Sequence, residues 1–146
     1  MSKSNTFEND LLQLIFNNVD IADVGDAGGL QNSATAGSLY IALHTADPGE
    51  AGTAATSESA YGSYARQAVA RSGAGWTVTA NEAENAALIQ LPECSSGSET
   101  ITHVSITTAV SGTSKILYSG ALSASRSVSS GIQPQFAAGS LVVSED

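Results

Sequence analysis

Residues 38–52, SLYIALHTADPGEAG, carry the clearest alternation of apolar and polar positions in the chain. Successive side chains of an extended backbone point to opposite faces, so Leu39, Ile41 and Leu43 share one face and Tyr40, Ala42 and His44 the other. The pattern predicts a strand that stops at Asp47-Pro48-Gly49, where proline's fixed φ suits the second position of a turn and glycine accepts the φ that follows. Nearer the start the period lengthens to that of a helix. Phe7, Leu11, Leu12, Ile15 and Phe16 recur at helical spacing, Ser4 or Thr6 can cap, and Glu8 and Asp10 lie in the first turn, where the helix dipole favours negative charge. Asn17-Asn18 weakens the helix, and Gly25, Gly28 and Gly29 predict a loop over residues 25–37.

Residues 46–62 are mostly Gly, Ala, Ser, Thr and Glu without apolar periodicity, which predicts a long exposed loop of the kind compact domains keep when it is functional or mobile. A strand over 64–72, a turn at 73–75 and a strand over 76–79 read as a hairpin. A short apolar run over 86–91 is closed by Pro92, a long strand follows over 99–110, and two more are expected over 114–123 and 125–129. A final segment runs through Phe136, Leu141 and Val143. About eight short strands separated by Gly and Ser turns predict an all-β fold, an antiparallel β-sandwich or jelly roll, with an N-terminal helix or arm. Residues 1–36 are expected to form the helix or arm and its loop, and residues 37–146 the β-sandwich domain, together one structural unit. No internal repeat is present.

Composition narrows the function classes. Aromatics make up 5% of the 146 residues, so the core must be built largely from Leu, Ile, Val and Ala. Charged residues make up 13%, against about 25% in an average domain, which leaves a small, neutral, hydroxyl-rich surface suited to packing against other chains. The net charge of -9, with basic residues scattered at Lys3, Arg66, Arg71, Lys115 and Arg126, argues against a nucleic acid or an anionic membrane as partner. Cys94 is the one cysteine, which excludes an intrachain disulfide and a cysteine-rich zinc site. No apolar run approaches the roughly 18 residues of a membrane span, and residues 1–10 lack the pattern of a signal peptide. The chain is expected to be made in the cytoplasm and used there or carried out in an assembly.

Residue chemistry offers little catalysis. His44 and Asp47 lie three apart, but a zinc centre needs three or four ligands and His103 is the only other histidine. The better reading has His44 hydrogen bonding at a strand end and Asp47 stabilising the turn. Asp20, Asp23 and Asp26 lack the ligand spacing and closing Glu of a calcium loop. Cys94 has Pro92, Glu93 and Ser95 as neighbours, with no base or positive charge to activate a thiol. No nucleophile elbow or phosphate-binding loop occurs. Glu82 and Glu84 read as a solvated turn, and Tyr61, Tyr64 and Trp76 as possible contact rings, Trp76 more readily as core. No catalytic residue, cofactor or metal ligand is assigned.

Six segments in order, SNTFENDLLQLIF, LYIALHTADPGEAGT, SYARQAVARSGAGWTV, ITHVSI, KILYSGALS and VVSED, resemble a family of small proteins of tailed bacteriophages and prophages, often labelled tail fibre proteins. The resemblance implies a β-rich, non-enzymatic structural component of the virion, assembled in the host cytoplasm. Two placements follow. One is a capsid decoration or cement protein bound to the major capsid protein, slightly favoured by the acidic surface and by a length too short for a fibre shaft. The other is a tail or tail-fibre accessory protein. A carbohydrate-binding module built on Tyr61, Tyr64, Trp76, Glu82 and Glu84 is the alternative from another class. Contacts with other virion proteins, or within a homo-oligomer (dimer or trimer), are expected at Phe7, Leu11, Ile15, Phe16, His44, Asp47, Pro48, Tyr61 and Tyr64.

Overall fold

In the computed structural model, which describes residues 2–26 and 28–146, the helix begins at its expected cap. α1 spans Asn5–Asn17; the Ser4 hydroxyl accepts from the Phe7 N–H at 3.4 Å, and Asn18 closes the far end in the left-handed conformation with φ 59°. Its buried residues are Glu8, Leu12 and Phe16, each one turn from the last, while Leu11 and Ile15 are half-buried and Phe7 is exposed. The inward stripe is rotated from the expected one because Phe16 docks on Trp76, with ring centroids 4.7 Å apart. That anchor decides which side of the helix faces in.

Nine strands follow among the described residues: β1 Ser38–His44, β2 Gln67–Ala70, β3 Trp76–Thr79, β4 Glu82–Asn85, β5 Ile89–Gln90, β6 Ser98–Thr107, β7 Ile116–Ser129, β8 Gln135–Phe136 and β9 Val142–Ser144. They form a four-stranded sheet β2-β1-β6-β7, a three-stranded sheet β3-β4-β9 and the pair β5-β8. The pairings β1–β6, β6–β7, β3–β4 and β4–β9 are antiparallel. The chain is all-β with one N-terminal helix, in keeping with the expected β-sandwich class. Among the described residues no helix is long and apolar enough to cross a membrane.

The chain divides into two compact units. The first comprises Met1–Ser38, Ala70–Leu88 and Phe136–Asp146. In it α1 packs on β3 and β4 over Leu12, Phe16, Trp76 and Ala83, all fully buried. Two polar side chains tie its loops. Buried Asn85 donates to the Ala87 and Ala137 carbonyls, both at 2.8 Å, and accepts from the Leu141 N–H at 2.9 Å, so every polar atom of its amide is matched. Arg71 donates to the carbonyls of Leu14 and Ile15 in the last turn of α1, where a cation complements the helix dipole, and to Ser33 Oγ and the Ala36 carbonyl.

The second unit comprises Leu39–Val69 and Ile89–Gln135. Its core draws Leu39, Ile41 and Leu43 from β1, Ile101, Val104 and Ile106 from β6, and Val128 from β7. Alternation alone leaves half of β1 open, yet residues 41–44 are all buried. The following segment folds back beside the strand: Ser59 N–H donates to the Leu43 carbonyl at 2.8 Å and Thr45 N–H to the Ser57 carbonyl at 2.9 Å.

Three local expectations are corrected. Residues 64–72 and 76–79 do not form a hairpin: β2 joins the sheet of β1, and β3 turns through Ala80, at φ 54°, and Asn81 into β4. Residues 82–85, expected as a turn, are the central strand of their sheet, with Ala83 and Asn85 inward. The two strands expected over 114–129 are one, because the interruption is a bulge in β7 between the pairs Ile101↔Arg126 and His103↔Ala121.

Phe16→Ala is expected to lower unfolding stability by about 3–5 kcal/mol, since it removes a buried ring. Phe7→Ala should cost only roughly 0.5 kcal/mol. Urea unfolding of the two variants checks the order, which reverses if the helix packs through Phe7.

Candidate interaction loop

The segment between β1 and β2 brings together most of the predicted site residues of the second unit. It leaves the strand at His44, whose ring is fully buried. Nδ1 lies 2.9 Å from the Thr56 carbonyl, which can only accept, so Nδ1 carries the proton. The neutral ring then accepts at Nε2 from the Ser105 hydroxyl, 2.8 Å away. Burial lowers the His44 pKa, aided by Arg66 and His103 and opposed by the Thr56 carbonyl and Glu58. This histidine fastens the loop to β6.

Beyond it the chain turns as expected. Asp47 Oδ1 accepts from the Gly49 N–H at 2.9 Å, with Asp47, Gly49, Glu50 and Ala51 exposed and Pro48 buried. A side chain at Gly52 would run into the Pro48 carbonyl, so the tip closes tightly only with glycine there. Ala54, fully buried, donates its N–H to the Ser114 carbonyl at 3.0 Å. The return arm is held by Glu99, whose Oε1 accepts from Ser59 Oγ and from the N–H groups of Ala60 and Tyr61 at 2.8, 2.9 and 2.5 Å.

At the base sits Arg66, with 1% of its side chain exposed. Nε and Nη2 grip the two oxygens of Glu58 at 2.7 and 2.8 Å. Nη1 donates to the Ala109 carbonyl and Ser114 Oγ, and Nη2 also to the Gly112 carbonyl, so all five N–H groups are used. Tyr64 completes the network by accepting from the Leu43 N–H at 3.0 Å and donating to Glu58 Oε1 at 3.1 Å. The Glu58 contact raises the Arg66 pKa, and burial raises that of Tyr64.

Among the predicted residues, Asp47 lies at the exposed tip, His44 and Tyr64 brace the loop from within, and Tyr61 is buried with its hydroxyl donating to the Pro92 carbonyl at 2.9 Å. Burial raises the Tyr61 pKa to about 12. Phe7, Leu11, Ile15 and Phe16 belong to the other unit. With Tyr61 and Trp76 buried, neither offers a ring face to a sugar. Cys94 is fully buried and its thiol donates to the Ser96 carbonyl. Asp20 accepts from the Asn32 N–H across the loop, and Asp26 closes a turn by accepting from those of Gly28 and Gly29. Sequence reasoning missed Glu58, Arg66, Asn85 and Glu99. The one signal was Arg66 between Ala65 and Gln67 in SYARQAV, a lone cation beside a predicted strand.

The family model described as podophage GP4 fiber I protein gp80 matches residues 2–144. No curated protein matches the chain.

Arg66→Met is expected to destabilise the second unit by about 3–5 kcal/mol, because it leaves the Glu58 carboxylate without its cation. Arg66→Lys should recover only a small part, since an ammonium cannot reproduce the five-donor fork. Chemical denaturation measures both. The lowered His44 pKa sets a pH limb: below about 6.5 the unfolded chain binds a proton that the folded chain resists, so stability is full above that pH and falls as the pH drops. In His44→Gln the slope of melting temperature against pH just below 6.5 should flatten, and an unchanged slope would refute this role.

The chain belongs to the podophage GP4 fiber I protein gp80 family, a family of phage virion structural proteins, and its place is the virion.

Proposed function

We propose that this chain is a non-catalytic building block of the phage tail fibre, contacting other virion proteins through the tip of the loop at residues 47–51. The family match over residues 2–144 carries the reading, because that family is described by a fibre protein. The construction of the loop supports it. A tip held by Thr56, Glu58, Glu99 and Arg66 has little conformational freedom left to lose, so docking it costs little ordering entropy. Asp47 and Glu50 give the tip two exposed carboxylates and select a partner surface that is basic or rich in donors. Phe7, with half-buried Leu11 and Ile15, forms a second contact ridge on α1; Phe16, His44, Tyr61 and Tyr64 support the two surfaces from behind.

Capsid decoration through the major capsid protein is the second reading. It is favoured by the net charge of -9, which keeps an outer surface soluble and repels DNA. The carbohydrate-binding reading is not carried forward, since Trp76 and Tyr61 are interior.

Antibody labelling of intact particles should mark the tail fibres. Label on the heads would favour decoration, and particles without label would overturn both. Asp47→Asn, which keeps the turn-closing oxygen, combined with Glu50→Lys should reduce incorporation into particles several-fold while leaving the unfolding midpoint of the isolated chain unchanged; undiminished incorporation would remove the tip from the interface.

A further inference from the structure

β7 is the last strand of the four-stranded sheet and the longest strand among the described residues. It runs for 14 residues, Ile116–Ser129, and pairs on one side with β6. An extended backbone presents N–H and C=O groups to both sides, so the outer side of such a strand is a row of donors and acceptors that another strand can satisfy as a set. Proteins that keep an edge single shorten it, charge it or break it with proline. β7 has no proline and one charged residue, Arg126, and Ser119, Gly120, Ala121 and residues 123–127 are exposed. Its register against β6 shifts twice, between Ala121 and Arg126 and between Ile116 and Tyr118, which leaves residues 118–121 as the uninterrupted approach.

Charge indicates the occupant. The chain carries -9 overall, yet residues 100–144 contain no Asp or Glu and only Lys115 and Arg126 as permanent charges. Two copies repel each other over surfaces rich in carboxylates, and β7 lies in the stretch free of them. Its Ser, Gly and Ala side chains let a second backbone come to the usual strand spacing of about 4.8 Å. An antiparallel pair about a two-fold axis is self-complementary, each donor on one edge meeting an acceptor on the other. Paired over residues 118–121, Lys115 of one copy falls nearest Ala124 of the other and not opposite its Arg126, so the cations are not opposed.

We propose that two copies of this chain associate through antiparallel pairing of their β7 edges, joining two four-stranded sheets into one of eight strands. This goes beyond the tail-fibre reading and does not depend on it, since it concerns a different surface from the loop tip and is read on the purified chain.

Sedimentation equilibrium of the full chain should give twice the 14.7 kDa mass, with a monomer appearing on dilution. Hydrogen exchange at amides 118–121 should slow as concentration rises. Ser119→Lys combined with Ala121→Lys should abolish the dimer and this concentration dependence while circular dichroism stays unchanged. Adjacent variants Ser119→Pro and Gly120→Pro give an independent reading: successive N–H groups face opposite sides, so one proline spares the β6 ladder, and the variant that keeps its fold should be monomeric. A monomer at every concentration, or a dimer that survives these substitutions in folded protein, overturns the proposal.

Discussion

One guanidinium organises the second unit. Arg66 meets both oxygens of Glu58, the carbonyls of Ala109 and Gly112 between β6 and β7, and Ser114 Oγ. A buried cation is costly unless every donor has a partner. Here each does, and the requirement runs in both directions: the loop after β1 and the turn before β7 must both be in place before the charge is accommodated. The ion pair thereby selects one conformation for two segments that lack any apolar pattern of their own. Glu99 and His44 add fixed points along the same loop.

The same device recurs in the first unit with different chemistry. Arg71 has backbone carbonyls and a serine hydroxyl as its recorded partners, fixing the end of α1 and the chain at residues 33–36. Asn85 does for residues 137–141 what Arg66 does for residues 109–114. In a chain with 5% aromatics, buried polar hubs take over ordering that ring packing supplies elsewhere. Rings still meet in each unit, Phe16 with Trp76 in the first and Tyr61 with Tyr64 in the second.

Local signals were legible and distant pairings were not. β1 and the Asp-Pro-Gly turn follow from period 2 and from the φ of proline, and α1 from its cap and spacing, because those determinants lie within a few residues. The inward face of α1 escaped because Trp76, which selects it, lies 60 positions from Phe16. β4 escaped because Glu-Ala-Glu-Asn is polar by count, and only the burial of Ala83 and Asn85 makes it a strand. Of the candidate site, the tip at Asp47 was readable as a turn, but its supports were not: Glu99 reaches residues 59–61 from a different strand, and nothing in its neighbours announces that. The two segments most specific to the family, LYIALHTADPGEAGT and SYARQAV, meet through Tyr64 and the Leu43 N–H, so their lettering records a loop scaffold.

Cys94 gives the second unit a built-in sensor. It is the chain's one cysteine, it is fully buried, and its thiol is bonded to the Ser96 carbonyl. A thiol in that position meets neither oxidant nor alkylating reagent until the surrounding segments part. The rate at which a dye labels it in the purified chain therefore clocks the opening of that unit alone.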